Sequence, residues 1–476
     1  MNNSRKIAKN ALAMTIGSVL VALINLAVMA YAARALNLEE YGRYTLAISF
    51  AAIFSVVTDL GINAILVREI SRRKEMANEL LGNAISLKAL AGALAVVACV
   101  AASYLSSSME TFPVVAVVAL TLLAGGIANA IQALPLAHAR LDYFSLISLV
   151  TAVSTGILFI LAGSNSNAFW FAWAYLGASI VGLAVTVIIS RKFASPELTA
   201  DLQVWKRLLR QGIPIALSTV FVMAYTRFNI VVLSWIKGEA AVGAYYPAYT
   251  LVFYSTILPN ALATSVLPTI APLFNNAKKF AKSAEKWLKL VLIAMLPVAL
   301  GFFAFSKMLV IAVFGAAYTA SIAPLSILAF MLIPLSLNIM ITTILLSSDR
   351  QGTAMKIVGV MALLSLPLNV ALIPRFGPAG AAVAALLVET AGAIGGLYAL
   401  SAKAQMNLGF LATVLLSGTL MFVVVAALQD FGAPFAFVAG CAGYGAALLL
   451  TEAIGAEELK FAREITNKPV KQDGRI

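Results

Sequence analysis

The chain has 476 residues, of which 62% are apolar and only 11% are charged, and its formal net charge is +13. This composition excludes an ordinary soluble domain, because a soluble protein of this length needs far more polar surface. We therefore expect an all-α integral membrane protein whose helices are solvated largely by lipid.

Apolar runs long enough to cross a bilayer recur along the whole chain. A transmembrane helix needs about 20 such residues, and by this criterion the sequence predicts about fourteen. Their starts lie near Ala11, Tyr44, Leu80, Pro113, Tyr143, Phe169, Ile213, Ala244, Trp287, Ala323, Lys356, Ala379, Leu408 and Phe435. Residues 308–321 form another apolar run that is too short to span, so we predict a re-entrant or interfacial segment there.

The basic residues predict the orientation. With the N-terminus inside, 26 of the 33 Lys and Arg residues fall in cytoplasmic segments, five fall outside, and Lys88 and Arg227 lie within spans. This asymmetry follows the positive-inside rule and predicts a multi-pass protein of the cell (inner) membrane with both termini in the cytoplasm. It also explains the net charge without a nucleic-acid partner.

The sequence does not indicate a cleaved secretory signal, a disulfide framework or a metal site. The apolar run after the basic N-terminus is too long for a typical secretory signal and thirteen more spans follow, so we expect an uncleaved first helix. Cys99 and Cys441 lie in apolar runs and the chain has one histidine, so neither a disulfide framework nor a metal site is indicated. We expect no cofactor, although transport could be coupled to H+ or Na+.

A weak internal repeat appears at an offset of 201 residues, which places Gly42 on Gly243, Tyr44 on Tyr245 and Asp59 on Asn260. Both copies run outward, which is typical of parallel repeats. The predicted domains are an N-terminal lobe of six helices, a cytoplasmic linker with a short interfacial amphipathic helix, a second lobe of six helices, and two additional helices with a basic tail. Their ranges are 1–190, 191–212, 213–403 and 404–476. A central cavity between the lobes is the default site.

Several short segments resemble a known family. They are ARALNLEEYG at 33–42, TDLGIN at 58–63, VREI at 67–70, GIP at 212–214, VGAYY at 242–246, LP at 267–268 and FGAAY at 314–318. These segments are similar to the polysaccharide biosynthesis proteins, the Wzx-like oligosaccharide flippases. That family belongs to the multidrug/oligosaccharidyl-lipid/polysaccharide (MOP) exporter superfamily.

The resemblance implies a flippase for cell-surface polysaccharide biosynthesis. Such a protein moves an oligosaccharide linked to polyprenyl pyrophosphate from the cytoplasmic to the outer leaflet by alternating access. The implied partners are this lipid-linked oligosaccharide, the membrane lipids and a polysaccharide polymerase. Asn229 stands where relatives often carry an acidic residue, and the resemblance leaves the glycan open.

Four charged residues lie within predicted spans, where they are costly and usually functional. Arg227 could pair with the pyrophosphate through its guanidinium fork, or with an acidic residue such as Asp59. Asp59 and Glu389 are candidates for ion coupling, and Asp59 could instead fix the packing of two helices. Lys88 is a candidate for the cavity, although it could also extend to the cytoplasmic headgroups.

Polar residues nearer the helix ends or within apolar faces are further candidates. Arg34 and Arg68, predicted to end helices one and two, could form the cavity rim or anchor the helices at the interface. Asn25 and Gln132, with His138, could contact sugar hydroxyls, or they could make hydrogen bonds between helices.

Two other functions fit the composition less well. A membrane glycosyltransferase or polymerase needs a water-exposed pocket with acid and base groups, whereas the predicted outside loops are short and carry dispersed acids, so we expect no enzyme. A MATE-like, cation-coupled multidrug exporter would share the fold but needs acids to attract cations. The two basic candidates within spans favour an anionic substrate instead.

Overall fold

A computed structural model describes residues 2–106, 108–194, 196–273, 276–404 and 409–451. All the regular structure in these ranges is helical. This is the expected outcome, because lipid offers no hydrogen bonds and a helix satisfies its own backbone groups. The predicted basic tail, with Lys460, Arg463, Lys468, Lys471 and Arg475, lies outside the described residues.

Seventeen α-helices are described. They are α1 (Asn2–Ala35), α2 (Leu38–Asp59), α3 (Ile62–Arg72), α4 (Ala77–Ser106), α5 (Thr111–Ala119), α6 (Thr121–Ala137), α7 (Leu141–Ala162), α8 (Ala168–Ser190), α9 (Leu202–Lys237), α10 (Glu239–Ser255), α11 (Ile257–Ile270), α12 (Ala277–Ala304), α13 (Ser306–Phe314), α14 (Ile322–Ser347), α15 (Gln351–Ala404), α16 (Gly409–Leu428) and α17 (Ala433–Leu450).

Eleven helical segments among the described residues are long and apolar enough to cross a membrane. The segment in α15 extends over Gln351–Ser401 and is interrupted at Gly377, which has a positive φ of 55°. This break lies where the sequence predicts a loop between the spans that start near Lys356 and Ala379. The α-helical membrane fold is confirmed, and the count of fourteen spans stays a prediction.

The chain forms two compact units, which comprise Met1–Pro247 with Asn369–Pro378, and Ala248–Leu368 with Ala379–Ile476. In the first unit, α2 packs against α4, α5, α6, α8 and α9. In the second unit, α12 packs against α11, α14 and α16, and α16 packs against α17. The predicted lobes divided by a linker at 191–212 stay a prediction.

Three local predictions need correction. The short interfacial helix expected in the linker is continuous with the next span, because α9 begins at Leu202 and runs through Pro214. Asp201 caps its first turn by accepting from the Gln203 amide at 2.7 Å. Helix two ends at Asp59, so Arg68 lies on the separate helix α3 rather than at the end of helix two. The predicted eighth span is divided into α10 and α11.

The predicted non-spanning segment at 308–321 is also short in the structure. It contains most of the nine-residue helix α13, followed by a 3-10 helix over Ala316–Ser321. Nine helical residues extend over only about 14 Å, which is less than half of a hydrocarbon core of about 30 Å. This helix therefore does not cross the membrane by itself.

The amphipathic helix α3 packs its apolar face against other helices of the first unit. Its apolar residues Ile62, Ile65, Leu66 and Ile70 are buried in a core with residues of α4, α6 and α9. Its basic residues lie on the opposite face, where Arg72 is exposed. This division follows the helical period, because residues three and four apart share one face.

The repeat glycines Gly42 and Gly243 lie against each other in the first unit. A Cβ at Gly42 would overlap the carbonyl of Glu239 and lie 3.0 Å from the Gly243 amide nitrogen. A Cβ at Gly243 would overlap the carbonyl of Leu38. The residues matched by the repeat are therefore the positions where the starts of α2 and α10 make backbone contact.

We expect Gly42→Ala to lower the stability of the protein. The added methyl group overlaps backbone atoms that no rotamer change can move, so the cost should be about 1–3 kcal/mol. The control is Gly352→Ala, since Gly352 is exposed on α15 and a Cβ there meets no atom within 4 Å. Thermal unfolding of the purified variants in detergent measures both. Equal melting temperatures for Gly42→Ala and the wild type would contradict the close contact.

Candidate functional site

A cavity of about 280 Å³ lies in the first unit between α2, α6, α8 and α9. Its polar lining comes from Ser55, Thr58, Thr121, Asn129, Tyr175 and Arg227. Its apolar lining comes from Ile48, Ala51, Ala52, Leu122, Gly125 and Gly126. A Cβ at Gly125 would meet no atom within 4 Å, so this glycine leaves open space in the cavity wall.

Arg227 brings a positive charge to this cavity from the interior of α9. Its guanidinium lies 3.5 Å from the hydroxyl of Tyr246, and Tyr246 is almost fully buried at 7% exposure. Tyr246 in turn contacts Tyr41 edge to face, with ring centroids 6.3 Å apart. The aromatic side chains therefore hold the Tyr246 hydroxyl beside Arg227.

Lys88 pairs with Asp59 rather than extending to the headgroups. The Lys88 side chain is fully buried, and its Nζ lies 2.9 Å from Asp59 Oδ1. The interpretation that Lys88 extends to water is wrong, because the carboxylate supplies the partner that the buried ammonium needs. The acidic partner considered for Arg227 is thus bound to a different cation.

The backbone places Asp59 at the end of α2, directly before a turn. Leu60 and Gly61 have positive φ values of 50° and 68°, which end the helix before α3 begins. A carboxylate at a helix C-terminus is unfavourable for the helix dipole, so Lys88 stabilises it there. Thr58, the preceding residue, lines the cavity, and the ion pair therefore lies next to the cavity wall.

The other basic and polar candidates in the first unit do not line this cavity. Arg34 is exposed in the last turn of α1, and Asn25 is partly buried earlier in that helix. Arg68 donates to Gln211 Oε1 at 2.6 Å and pairs with Glu69 at 3.0 Å. The structure thus brings Arg227, and not Arg34 or Arg68, to the cavity.

Two polar candidates from the fourth predicted span make contacts between or within helices. Gln132 Nε2 lies 3.4 Å from Thr186 Oγ1 on α8. A ring nitrogen of His138 lies 2.9 Å from the Leu134 carbonyl oxygen. The centroid of the His138 ring lies 5.0 Å from that of the Phe193 ring. These contacts match the alternative that such residues fix helix packing.

Glu389 lies in the second unit, on α15, and is 5% exposed. Its carboxylate accepts from Asn338 Nδ2 at 2.7 Å, and the same amide nitrogen lies 2.8 Å from the Glu389 carbonyl oxygen. A buried carboxylate held by an amide is a suitable ion ligand, and its role in coupling stays a prediction. Asn338 is one of several polar residues in apolar spans, and nothing in the sequence distinguishes it from the others.

Tyr175, Tyr246 and Asn129 were not predicted as site residues. Each is a polar residue inside an apolar span, which is the one signal that could have identified it. The helical spacing of Ser55 with Thr58, and of Gly125 with Asn129, places each pair on one face of its helix. The sequence does not show which of these faces meets a cavity.

Comparison with known proteins finds a matching family and similar individual proteins. Residues 7–274 match the family described as "Polysaccharide biosynthesis protein". Two proteins of Haloferax volcanii are similar: the "Probable low-salt glycan biosynthesis flippase Agl15", 22% identical over 80% of each chain, and the "Probable flippase AglR", 25% identical over 48% of each chain.

Solved structures share the fold. The lipid II flippase MurJ, in an inward closed conformation, superposes with a TM-score of 0.75 at 16% identity, covering 96% of this chain and 100% of MurJ. An inward-facing MATE family multidrug transporter superposes with a TM-score of 0.64 at 14% identity, covering 83% of this chain and 99% of the transporter. A MOP superfamily transporter from Pyrococcus furiosus superposes with a TM-score of 0.60 at 15% identity, covering 84% of this chain and 96% of that transporter. The predicted MOP-type fold is confirmed.

The Lys88–Asp59 pair should respond asymmetrically to substitution. Asp59→Ala leaves a fully buried ammonium without its partner, whereas Lys88→Met leaves a carboxylate whose side chain is 39% exposed. We expect Asp59→Ala to cost about 3 kcal/mol and Lys88→Met clearly less. Thermal unfolding in detergent measures both.

The double variant serves as the control for this pair. Because it removes both charges, Asp59→Ala with Lys88→Met should be more stable than Asp59→Ala alone. A double variant no more stable than Asp59→Ala would show that the two charges do not interact.

Proposed function

The chain belongs to the family of polysaccharide biosynthesis proteins, and on that basis we propose that it is a flippase for a lipid-linked oligosaccharide. The transported lipid would carry its glycan on a polyprenyl pyrophosphate and move from the cytoplasmic to the outer leaflet. The two curated relatives are both named as flippases, which supports this proposal. The chain acts as a transporter with no covalent step of its own.

Arg227 in the first-unit cavity is the observation that carries the proposal. A membrane-embedded guanidinium is costly unless it meets an anion or a polar cavity. Pyrophosphate oxygens match the guanidinium fork, and the low dielectric of the surroundings strengthens their attraction. Asn129 and Tyr175 supply further polar groups to the same space.

The size of the cavity indicates which part of the substrate it holds. At about 280 Å³ it lies just below the usual range for ligand pockets. It suits a pyrophosphate with an adjoining sugar better than a whole oligosaccharide on its polyprenyl chain. The lipid chain would stay in the bilayer, where its hydrocarbon is already solvated.

The proposed transport cycle is alternating access with the N-terminus in the cytoplasm. The basic segments at 68–74 and 191–210 would then face the cytoplasm, in agreement with the positive-inside rule. Asp59 and Glu389 are the proposed ion-coupling residues. Coupling through Asp59 would require release of Lys88, because the ammonium now neutralises the carboxylate.

We expect Arg227→Ala to lower transport by about 10- to 100-fold, because the substrate loses a charge-assisted hydrogen bond of about 1.5–3 kcal/mol. Arg227→Lys should restore only part of the activity, since a point charge cannot form the bidentate fork. The matched control is Lys237→Ala, at the exposed end of the same helix. Its transport should equal that of the wild type.

Transport by each variant is measured in a deletion strain complemented with that variant, by mass spectrometry of the polyprenyl-linked glycans. Labelling of spheroplasts then reports the leaflet that the glycans occupy. Accumulation on the cytoplasmic side with Arg227→Ala, and not with Lys237→Ala, is the expected result. Full transport by Arg227→Ala would remove this residue from the mechanism.

A cation-coupled multidrug exporter is the second candidate, because Asp59 and Glu389 are the two acids that such a carrier could use. We expect cells that express the protein to show no efflux of a cationic dye beyond that of the empty vector. Dye efflux that Asp59→Asn abolishes would favour the exporter. A strain with normal lipid-linked glycans and dye efflux would replace the flippase proposal.

A further inference from the structure

A second cavity, of about 540 Å³, lies at the end of the first unit where α2, α5 and α8 begin. Its lining combines polar and apolar residues: Glu40, Arg43, Glu110, Pro113, Val114, Asn167, Phe169 and Trp170. The predicted orientation places this end outside. We refer to it below as the Trp170 cavity.

The polar side of the Trp170 cavity is held in place by charge-assisted hydrogen bonds. The Arg43 guanidinium contacts the carboxylates of Glu39, Glu40 and Glu110. Glu40 also accepts from the Ala168 amide at 2.7 Å, which ties it to the start of α8. The acceptors are therefore fixed before any ligand arrives, which lowers the entropic cost of binding.

The charge of this side indicates what the cavity does not bind. Three carboxylates surround one guanidinium, so the cluster carries two excess negative charges. A phosphate or pyrophosphate would be repelled there. The Glu110 carboxylate is nevertheless 68% exposed, so its oxygens can accept hydrogen bonds from a neutral donor.

The apolar side presents a flat aromatic surface. Trp170 is 50% exposed, and its ring centroid lies 6.1 Å from that of Phe169 in an edge arrangement. An exposed indole offers a broad apolar face on which the C–H face of a sugar ring can pack, while sugar hydroxyls reach polar neighbours. Neutral saccharides have this combination of apolar face and hydroxyl edge.

We propose that the Trp170 cavity binds the neutral saccharide part of the transported substrate. The inference rests on the proposed function and adds a second site to it. Arg227 would take the charged pyrophosphate within the membrane, and Trp170 with Glu110 would take the glycan at the outer end. At about 540 Å³, the cavity falls in the usual range for ligand pockets and suits a short oligosaccharide.

The test uses the full chain in lipid nanodiscs. The probe is the pool of oligosaccharides that mild acid releases from the lipid-linked fraction of the source cells, free of carrier and pyrophosphate. Isothermal titration calorimetry measures its binding to the wild type, Trp170→Ala and Trp173→Ala. Trp173 lies one turn further along α8, is exposed to a similar extent, 44%, and does not line the cavity.

We expect the wild type to bind the pool and Trp170→Ala to bind about tenfold more weakly. The affinity of Trp173→Ala for the pool should stay within about twofold of that of the wild type. Trp173 shares with Trp170 a place at the membrane interface but does not line the cavity. Trp170→Phe, which keeps a ring, should lose less than Trp170→Ala and tests the stacking if the alanine variant does not fold. Inorganic pyrophosphate should not displace the oligosaccharides.

Three results would overturn the proposal: no binding of the pool by the wild type, equal losses with Trp170→Ala and Trp173→Ala, or displacement by pyrophosphate. The deletion strain separates this failure from that of the proposed function. If lipid-linked glycans accumulate there while the released pool does not bind, only the saccharide site is wrong. If none accumulates, the flippase proposal itself fails.

Discussion

The first unit depends on the close approach of α2 to two other helices. Gly42 near its start lies against Gly243, and Gly61 just after its end lies against Gly212. Either contact would be blocked by a Cβ, because the opposing atoms are backbone carbonyls. Backbone contact of this kind is the main way to pack helices tightly where lipid removes the hydrophobic drive between them. The position of α2 therefore determines where the helices that pack against it lie, namely α4, α5, α6, α8 and α9.

Both cavities depend on this one helix. Glu40 and Arg43 in its first turns form the polar side of the Trp170 cavity, and Ser55 and Thr58 near its end line the cavity of Arg227. The two cavities differ in charge, since one contains a guanidinium and the other an excess of carboxylates. A substrate with an anionic group and a neutral glycan carries the complementary division, which is why we assign the two parts to different sites.

The sequence predicts the fold well because apolar run length and basic loops are properties of the chain alone. It does less well where the answer depends on contacts between helices. Lys88 and Asp59 are 29 residues apart, and only packing of α4 on α2 shows that they are partners. The end of α2 at Asp59 has one local signal, Gly61, whereas Leu60 also adopts a positive φ that its side chain disfavours. Arg227 lines the first-unit cavity and its role in binding stays a prediction, whereas the positions of Tyr175 and Asn129 depend on which helix face meets open space.

The ion pair between buried Lys88 and partly exposed Asp59 also bears on how the protein is made. An unpaired charge raises the cost of placing its helix in lipid, most at the helix centre and less for Asp59 at the end of α2. The pair neutralises both charges only when α2 and α4 are in the membrane together, with the amphipathic α3 between them. We therefore expect these three helices to leave the translocation machinery as one unit, so that the ion pair also acts during biogenesis, before any substrate is transported.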